Sequence, residues 1–216
     1  YNNEGYFARV MYDYAGKYFA SASYRRDASS RFHPDHRWGN FWSLGAAWII
    51  NRESWFNASW VNMLKVKASY GSQGNDKIGD YRYVDTYRLA SSNGEMSVAF
   101  LEKGNPNITW ETNTNFNAGI EFGVLQNRIS GSIEYFNRKT TDMLLSYPLA
   151  SSSGFDSYYR NSGEMRNRGI EFAVTGRIFD RRDFQWSVTW MGSTVSNKVL
   201  KLTEDGKDII GSTQII

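Results

Sequence analysis

The chain has 216 residues, a net charge of +3 and an isoelectric point near 9.0, and it contains no cysteine. That excludes disulfides, thiolate metal sites and cysteine nucleophiles, and with no block of Lys and Arg there is no support for nucleic-acid binding. The mean hydropathy is −0.56 and no apolar run approaches the roughly 18 residues of a membrane helix, which excludes helical spans but not membrane-crossing strands.

Period-two alternation of apolar and polar residues predicts about eight strands. The first spans 5–14 and turns at Ala15-Gly16 into the second, 17–27. A charged loop with Pro34, 28–38, leads to the third strand, 39–50. The connection 51–61 carries Trp55, Phe56, Trp60 and Val61 and suits a short amphipathic helix. The fourth strand, 62–72, precedes a long Gly-containing loop, 73–108. The fifth, 109–124, turns at Leu125-Gln126-Asn127 into the sixth, 128–145. A Ser-, Gly- and Tyr-rich loop, 146–166, precedes the seventh, 167–179, which turns at 180–183 into the eighth, 184–195. The tail 196–216 reads as another long loop.

Each strand has one apolar and one wet face, because successive side chains point to opposite sides. Phe116, Ala118, Ile120 and Phe122 oppose Asn115, Asn117 and Glu121; Ile170, Phe172, Val174 and Ile178 oppose Glu171, Thr175 and Arg177. Leu64, Val66, Ala68 and Tyr70 oppose Lys65 and Lys67; Trp186, Val188 and Trp190 oppose Ser187 and Thr189. Short connections alternating with long ones are the pattern of an all-β, antiparallel transmembrane β-barrel, with short periplasmic turns and long extracellular loops. Aromatics form 16% of the chain and gather near strand ends (Tyr12, Tyr14, Tyr18, Trp42, Trp48, Trp110), as interfacial girdles do. On composition alone the rival is a tyrosine-rich soluble sandwich.

The wet faces predict a lumen lining of Lys65, Lys67, Asn115, Asn117, Glu121, Glu134, Arg138, Glu171 and Arg177. Their carboxylates, with Glu111 and Asp142, are expected to pair with Arg25, Arg128, Arg138, Arg168 and Arg177 across the wall. Phe32, Trp38, Phe155, Tyr158 and Tyr159 are extracellular-loop aromatics, suited to stacking on a sugar ring, anchoring a partner, or packing the loops together. His33-Pro34-Asp35-His36 lacks metal-site spacing, and Glu204-Asp205-Gly206-Lys207-Asp208 lacks the alternating acids of a calcium loop. No Ser-His-Asp grouping, phosphate loop or dinucleotide fingerprint is present, so neither an enzyme nor a cofactor is expected.

Four ordered blocks carry a family resemblance. They are Arg26-Asp27-Ala28-Ser29-Ser30-Arg31-Phe32 with Arg37-Trp38-Gly39, Leu64 through Asn75, Gly104-Asn105-Pro106-Asn107-Ile108-Thr109-Trp110-Glu111, and Asn167-Arg168-Gly169-Ile170-Glu171-Phe172. Together they resemble the SusC/RagA-like TonB-dependent transporters of Bacteroidetes. The resemblance implies an outer-membrane barrel of about 22 strands around an N-terminal plug. It further implies energy from TonB, a SusD-like surface lipoprotein over the mouth, and oligosaccharide or peptide substrates.

The expectation is therefore that residues 1–216 form an arc of such a barrel, in the C-terminal half of a longer polypeptide, without its plug or its last strands. Two rivals stand. One is a self-contained eight-stranded outer-membrane barrel with a structural or adhesive role. The other is a barrel phospholipase, which would have to recruit His33 or His36 from a loop.

Overall fold

The computed structural model describes residues 1–92, 95–149, 151–155 and 157–202. Twelve strands follow in chain order: β1 (Asn3–Tyr14), β2 (Tyr18–Ser29), β3 (Trp38–Ile49), β4 (Val61–Asn75), β5 (Thr86–Ser92), β6 (Glu95–Glu102), β7 (Glu111–Val124), β8 (Ile129–Thr141), β9 (Leu144–Pro148), β10 (Ser157–Asn161), β11 (Glu164–Asp180) and β12 (Gln185–Lys201). Eight of them form one antiparallel sheet in the order β1-β2-β3-β4-β7-β8-β11-β12, and β5-β6 and β9-β10 are separate hairpins. The sheet is open: among the described residues β1 and β12 each pair on one side only.

Local sequence explains the hairpins. Ala15 and Gly16 both take positive φ (55° and 61°), and the Lys17 amide donates to the Tyr14 carbonyl at 3.0 Å. That two-residue turn matches the twist of the strands it joins. Leu125, Gln126 and Asn127 turn β7 into β8 with φ of 55°, 59° and 59°. The main strands run from 12 to 17 residues, longer than the ~9–11 needed to cross a bilayer, so they project beyond it.

The register aligns the apolar faces. One transverse row reads Tyr14, Tyr18, Trp48, Val66, Ile120, Ile133 and Phe172. Among the described residues nothing covers this side: Val10 is 69% and Trp190 71% exposed. Aromatics mark both its ends. At the turn end Tyr18 stacks on Trp48 at 6.1 Å, and at the loop end Tyr6 stacks on Trp38 at 6.2 Å. Ten residues separate Trp38 from Trp48 on β3, about 33 Å along the strand. At a 35–45° tilt that is about 25 Å along the membrane normal, the height of a barrel's apolar band.

Three expectations need correction. The 51–61 connection is not an amphipathic helix. Only Ile50–Arg52 makes a 3-10 turn, because the next residue, Glu53, is extended and its carboxylate is held by Tyr18 (2.6 Å), Trp48 (3.0 Å) and Lys17 (3.1 Å). The segments 73–108 and 146–166 are not plain loops. Each holds a hairpin built on its own apolar pairs, such as Leu89 opposite Val98 and Tyr147 opposite Tyr158. Several predicted ends also shift: β4 reaches Asn75, β11 begins at Glu164 and β12 reaches Lys201, whereas β7 begins only at Glu111 and β8 stops at Thr141, short of the expected 145, where Asp142 (φ 55°) turns the chain into β9. Glu204 to Asp208 lie outside the described residues.

The buried core sits at the loop end. Phe32, Ile78 and Ile108 pack together with Tyr83, Trp110, Leu144 and Tyr159 around them. Asn161 ties two loops, accepting from the Thr109 amide at 2.8 Å and donating to the Thr109 carbonyl at 2.8 Å and the Asp142 carbonyl at 2.9 Å. Trp110 donates to the Arg37 carbonyl at 2.9 Å, and Ser29 to Asp76 at 2.7 Å. Three chain-distant loops therefore form one packed cap over the sheet's end.

Candidate functional site

The side of the sheet opposite the apolar rows is wet. Its row Lys67, Gly119, Glu134, Glu171 and Ser193 crosses five strands. Toward the turn end the charges form a ladder. Lys65 meets Glu121 at 3.2 Å; Lys67 bridges Glu121 and Glu134, each at 3.0 Å. Lys65 and Lys67 are two apart on β4, so both point to this side, and the register sets Lys65 opposite Glu121. The partners differ from those expected: Glu121 and Glu134 pair with lysines, not arginines. Arg168 shares a side with Ile170, the apolar one, because it lies an even number of residues away. Arg177 also stands apart from the ladder. It is 3.6 Å from Asp180, beside a bulge that sets Phe179 opposite Trp186.

Toward the loop end lies an open cavity of 520 Å³. It brings together five of the predicted wet-face residues, Asn115, Asn117, Glu134, Arg138 and Glu171. Three more were not predicted: Gln73, Phe136 and Asn167. Gln73 was placed just past the end of its strand. Phe136 is an aromatic on a polar face, so alternation gives no reason to single it out. Its ring lies over Gly169, where an added Cβ would stand 2.8 Å from it. The Arg138 Nε donates to the Asn115 side-chain carbonyl at 2.8 Å, which fixes the guanidinium, and Asn117 donates to the Ser69 hydroxyl at 3.4 Å.

The loop aromatics divide. Phe32 is fully buried in the loop core and presents no surface to a ligand. Trp38 is not a loop residue; it opens β3 on the apolar side, with Arg26 4.8 Å above its ring, because β2 and β3 pair one residue further than the turn-rich sequence suggests. Phe155 packs on Phe100 at 4.5 Å. Tyr158 meets Tyr147 at 6.2 Å across the β9-β10 pair, and Tyr159 packs on the loop core with Arg82 4.7 Å from its ring. In the His33 loop, His33 and Asp35 are 3.4 Å apart and the two imidazoles 6.4 Å apart.

The family model for TonB dependent receptor-like β-barrels matches residues 1–214. The chain belongs to that family. It is therefore an outer-membrane β-barrel sequence of the SusC/RagA-like kind. TonB-dependent receptor P39 of Formosa agariphila is 34% identical over 203 residues, covering 93% of this chain and 20% of that protein. TonB-dependent receptor SusC of Bacteroides thetaiotaomicron is 32% identical over 208 residues, covering 92% of this chain and 21% of that protein. The solved RagAB peptide transporter matches with a TM-score of 0.88 at 30% identity, over 95% of this chain and 23% of that one. The siderophore receptor PirA from Pseudomonas aeruginosa shares the fold alone, with a TM-score of 0.56 at 17% identity over 91% of this chain and 35% of that one. The chain spans about a fifth of the length of its curated TonB-dependent relatives.

Proposed function

We propose that this chain is a stretch of barrel wall, in the C-terminal half of an outer-membrane importer for large nutrients, oligosaccharides or peptides. Transport is energised through TonB by parts of the polypeptide beyond this sequence, and a SusD-like surface lipoprotein covers the extracellular mouth. The wet side lines the lumen, and the loop end faces out.

The two-sided sheet carries this reading. One side is apolar and girdled by aromatics; the other gathers amides and charges around an open cavity just below a packed loop cap. An aqueous lumen accommodates those charges, whereas lipid would not. The likeness to the RagAB peptide transporter over 95% of the chain supports it.

The test is the native polypeptide. Peptide mapping of outer membranes should find this sequence in a protein several times larger than 24.8 kDa, co-purifying with a surface lipoprotein. A heat-modifiable band near 24.8 kDa would instead establish the small closed barrel and end the importer reading.

A further inference from the structure

We propose that the outward side of β8, β11 and β12 holds a binding site for the phosphate-bearing headgroup of an outer-leaflet lipid. Arg166, Arg168 and Lys198 are its cations. The site rests on the importer reading, which turns the loop end outward.

Strand register builds the patch. Lys139, Arg166 and Lys198 stand directly opposite one another across β8, β11 and β12. Arg168 is two residues from Arg166 on the same side, between Asn137 and Ser196. Like charges set opposite each other on a sheet repel, so a row of three cations is destabilising until an anion joins it. At this end the three strands offer one acid on this side, Glu164, and Lys139 holds it at 2.8 Å. Among the described residues the side chains of Arg166, Arg168 and Lys198 make no hydrogen bond or ion pair. The wet side shows the contrast: there Lys65 and Lys67 are both met by carboxylates. No further strand can bring an acid beside the two arginines, because β11 is paired on both sides, with β8 and β12. Pointing away from the lumen, they are also out of reach of anything inside a barrel.

Depth selects the ligand. Ten residues separate the girdle tryptophans Trp38 and Trp48 on β3. Ten residues from Trp186, which stacks on Phe179 at the turn end, β12 reaches Ser196, directly opposite Arg168. Arg168 therefore marks the outer edge of the apolar band, and the row of three cations lies about 7 Å further along the strands, at the level of the headgroups. On the membrane side of Arg168 the same face carries Ile170, Phe172 and Trp190, the last two with rings 5.3 Å apart. Cations above and apolar side chains below fit one amphipathic molecule, with phosphate oxygens on the guanidinium forks and acyl chains on the apolar rows. Free phosphate would use the upper half alone. Basic side chains at a membrane surface strengthen the hold on anionic lipid by about fivefold each.

The experiment uses the whole native transporter in neutral detergent. The probe is lipid extracted from its own outer membranes, intact or enzymatically dephosphorylated. Native mass spectrometry measures the lipid retained, and thermal unfolding measures the stabilisation. Intact lipid should be retained and should raise the melting temperature; dephosphorylated lipid should do neither. Arg166→Gln combined with Arg168→Gln should weaken retention roughly twenty- to thirtyfold. Without lipid the same variant should melt no lower than the native protein, because repulsion within the row is relieved, whereas a merely structural role would lower it. Lys77→Gln combined with Arg88→Gln, the same charge change on exposed residues of the 73–108 loop, should leave retention unchanged. Should the arginine variant fail to reach the membrane, Lys198→Gln gives the second reading, about fivefold weaker. Equal retention of intact and dephosphorylated lipid, retention indifferent to the arginine variant and to Lys198→Gln, or equal competition by free inorganic phosphate would each overturn the site. Loss of a co-purifying lipoprotein with lipid retention intact would overturn it too, and would give the patch to a protein partner. The importer reading fails separately, on the polypeptide's mass.

Discussion

Phe32 and Glu53 show how single residues set the two ends of this molecule. Phe32, wholly buried, joins Ile78 and Ile108 in the small core of the loop cap. Phe32→Ala should cost the cap about 3–5 kcal/mol through lost contacts and an unfilled cavity. Limited proteolysis on intact cells should then cut the 73–108 and 142–163 loops faster, while the band's heat-modifiability is unchanged. Glu53 anchors the opposite end. Hydrogen bonds from Tyr18, then Trp48, then Lys17, hold its carboxyl below the usual carboxylate range. A depressed folded-state pKa stabilises above the unfolded value, and that stabilisation is lost as pH falls through the folded value. Thermal unfolding in detergent should accordingly separate the native protein from Glu53→Gln at neutral pH, and the two curves should converge in acid below the carboxylate range.

At the scale of the strand, side-chain parity dictates the environment. Leu44 lies between the Trp38 and Trp48 girdles on the apolar side and is 54% exposed, which on the proposed reading sets it against lipid. Leu44→Arg should destabilise the barrel by about 2–4 kcal/mol, the midplane cost of a cation facing lipid. Ser132→Arg, opposite Glu121 on the wet side, should cost little. Urea midpoints of the two variants, refolded into the same lipid vesicles, check this; equal losses would mean that the sides are misassigned. The bulge between Arg177 and Phe179 adjusts parity locally, bringing Phe179 onto Trp186 at 6.1 Å and extending the turn-end girdle.

For the whole molecule, the open sheet governs behaviour. Among the described residues the eight strands leave two edges unpaired, exposing rows of N–H and C=O groups that lipid cannot satisfy. The 216-residue segment expressed alone should therefore aggregate on refolding into lipid, since free edges pair with one another. A heat-modifiable monomer from that segment would mean that β1 and β12 can close on each other. The membership in the TonB-dependent family and the match to RagAB along 95% of the chain fit the wider barrel.

The eight strands of the main sheet and their sidedness, though not the four strands of the two loop hairpins, were legible in the residues because alternation is a local signal: Phe116-Asn117-Ala118 already states which side each residue faces. The turns were legible too, since Ala15-Gly16 and Leu125-Gln126-Asn127 carry their own geometry. Meetings between distant residues were not. Lys67 finds Glu134 only through β4-β7-β8 register, and Phe136 gains its place over Gly169 only through β8-β11 register. The loops misled for a related reason. Phe32 reads as an exposed aromatic until Ile78 and Ile108, 46 and 76 residues away, close over it. Periodicity along one strand determined the sides; non-local pairing and loop packing alone decided which side chains share the cavity and which are sealed from it.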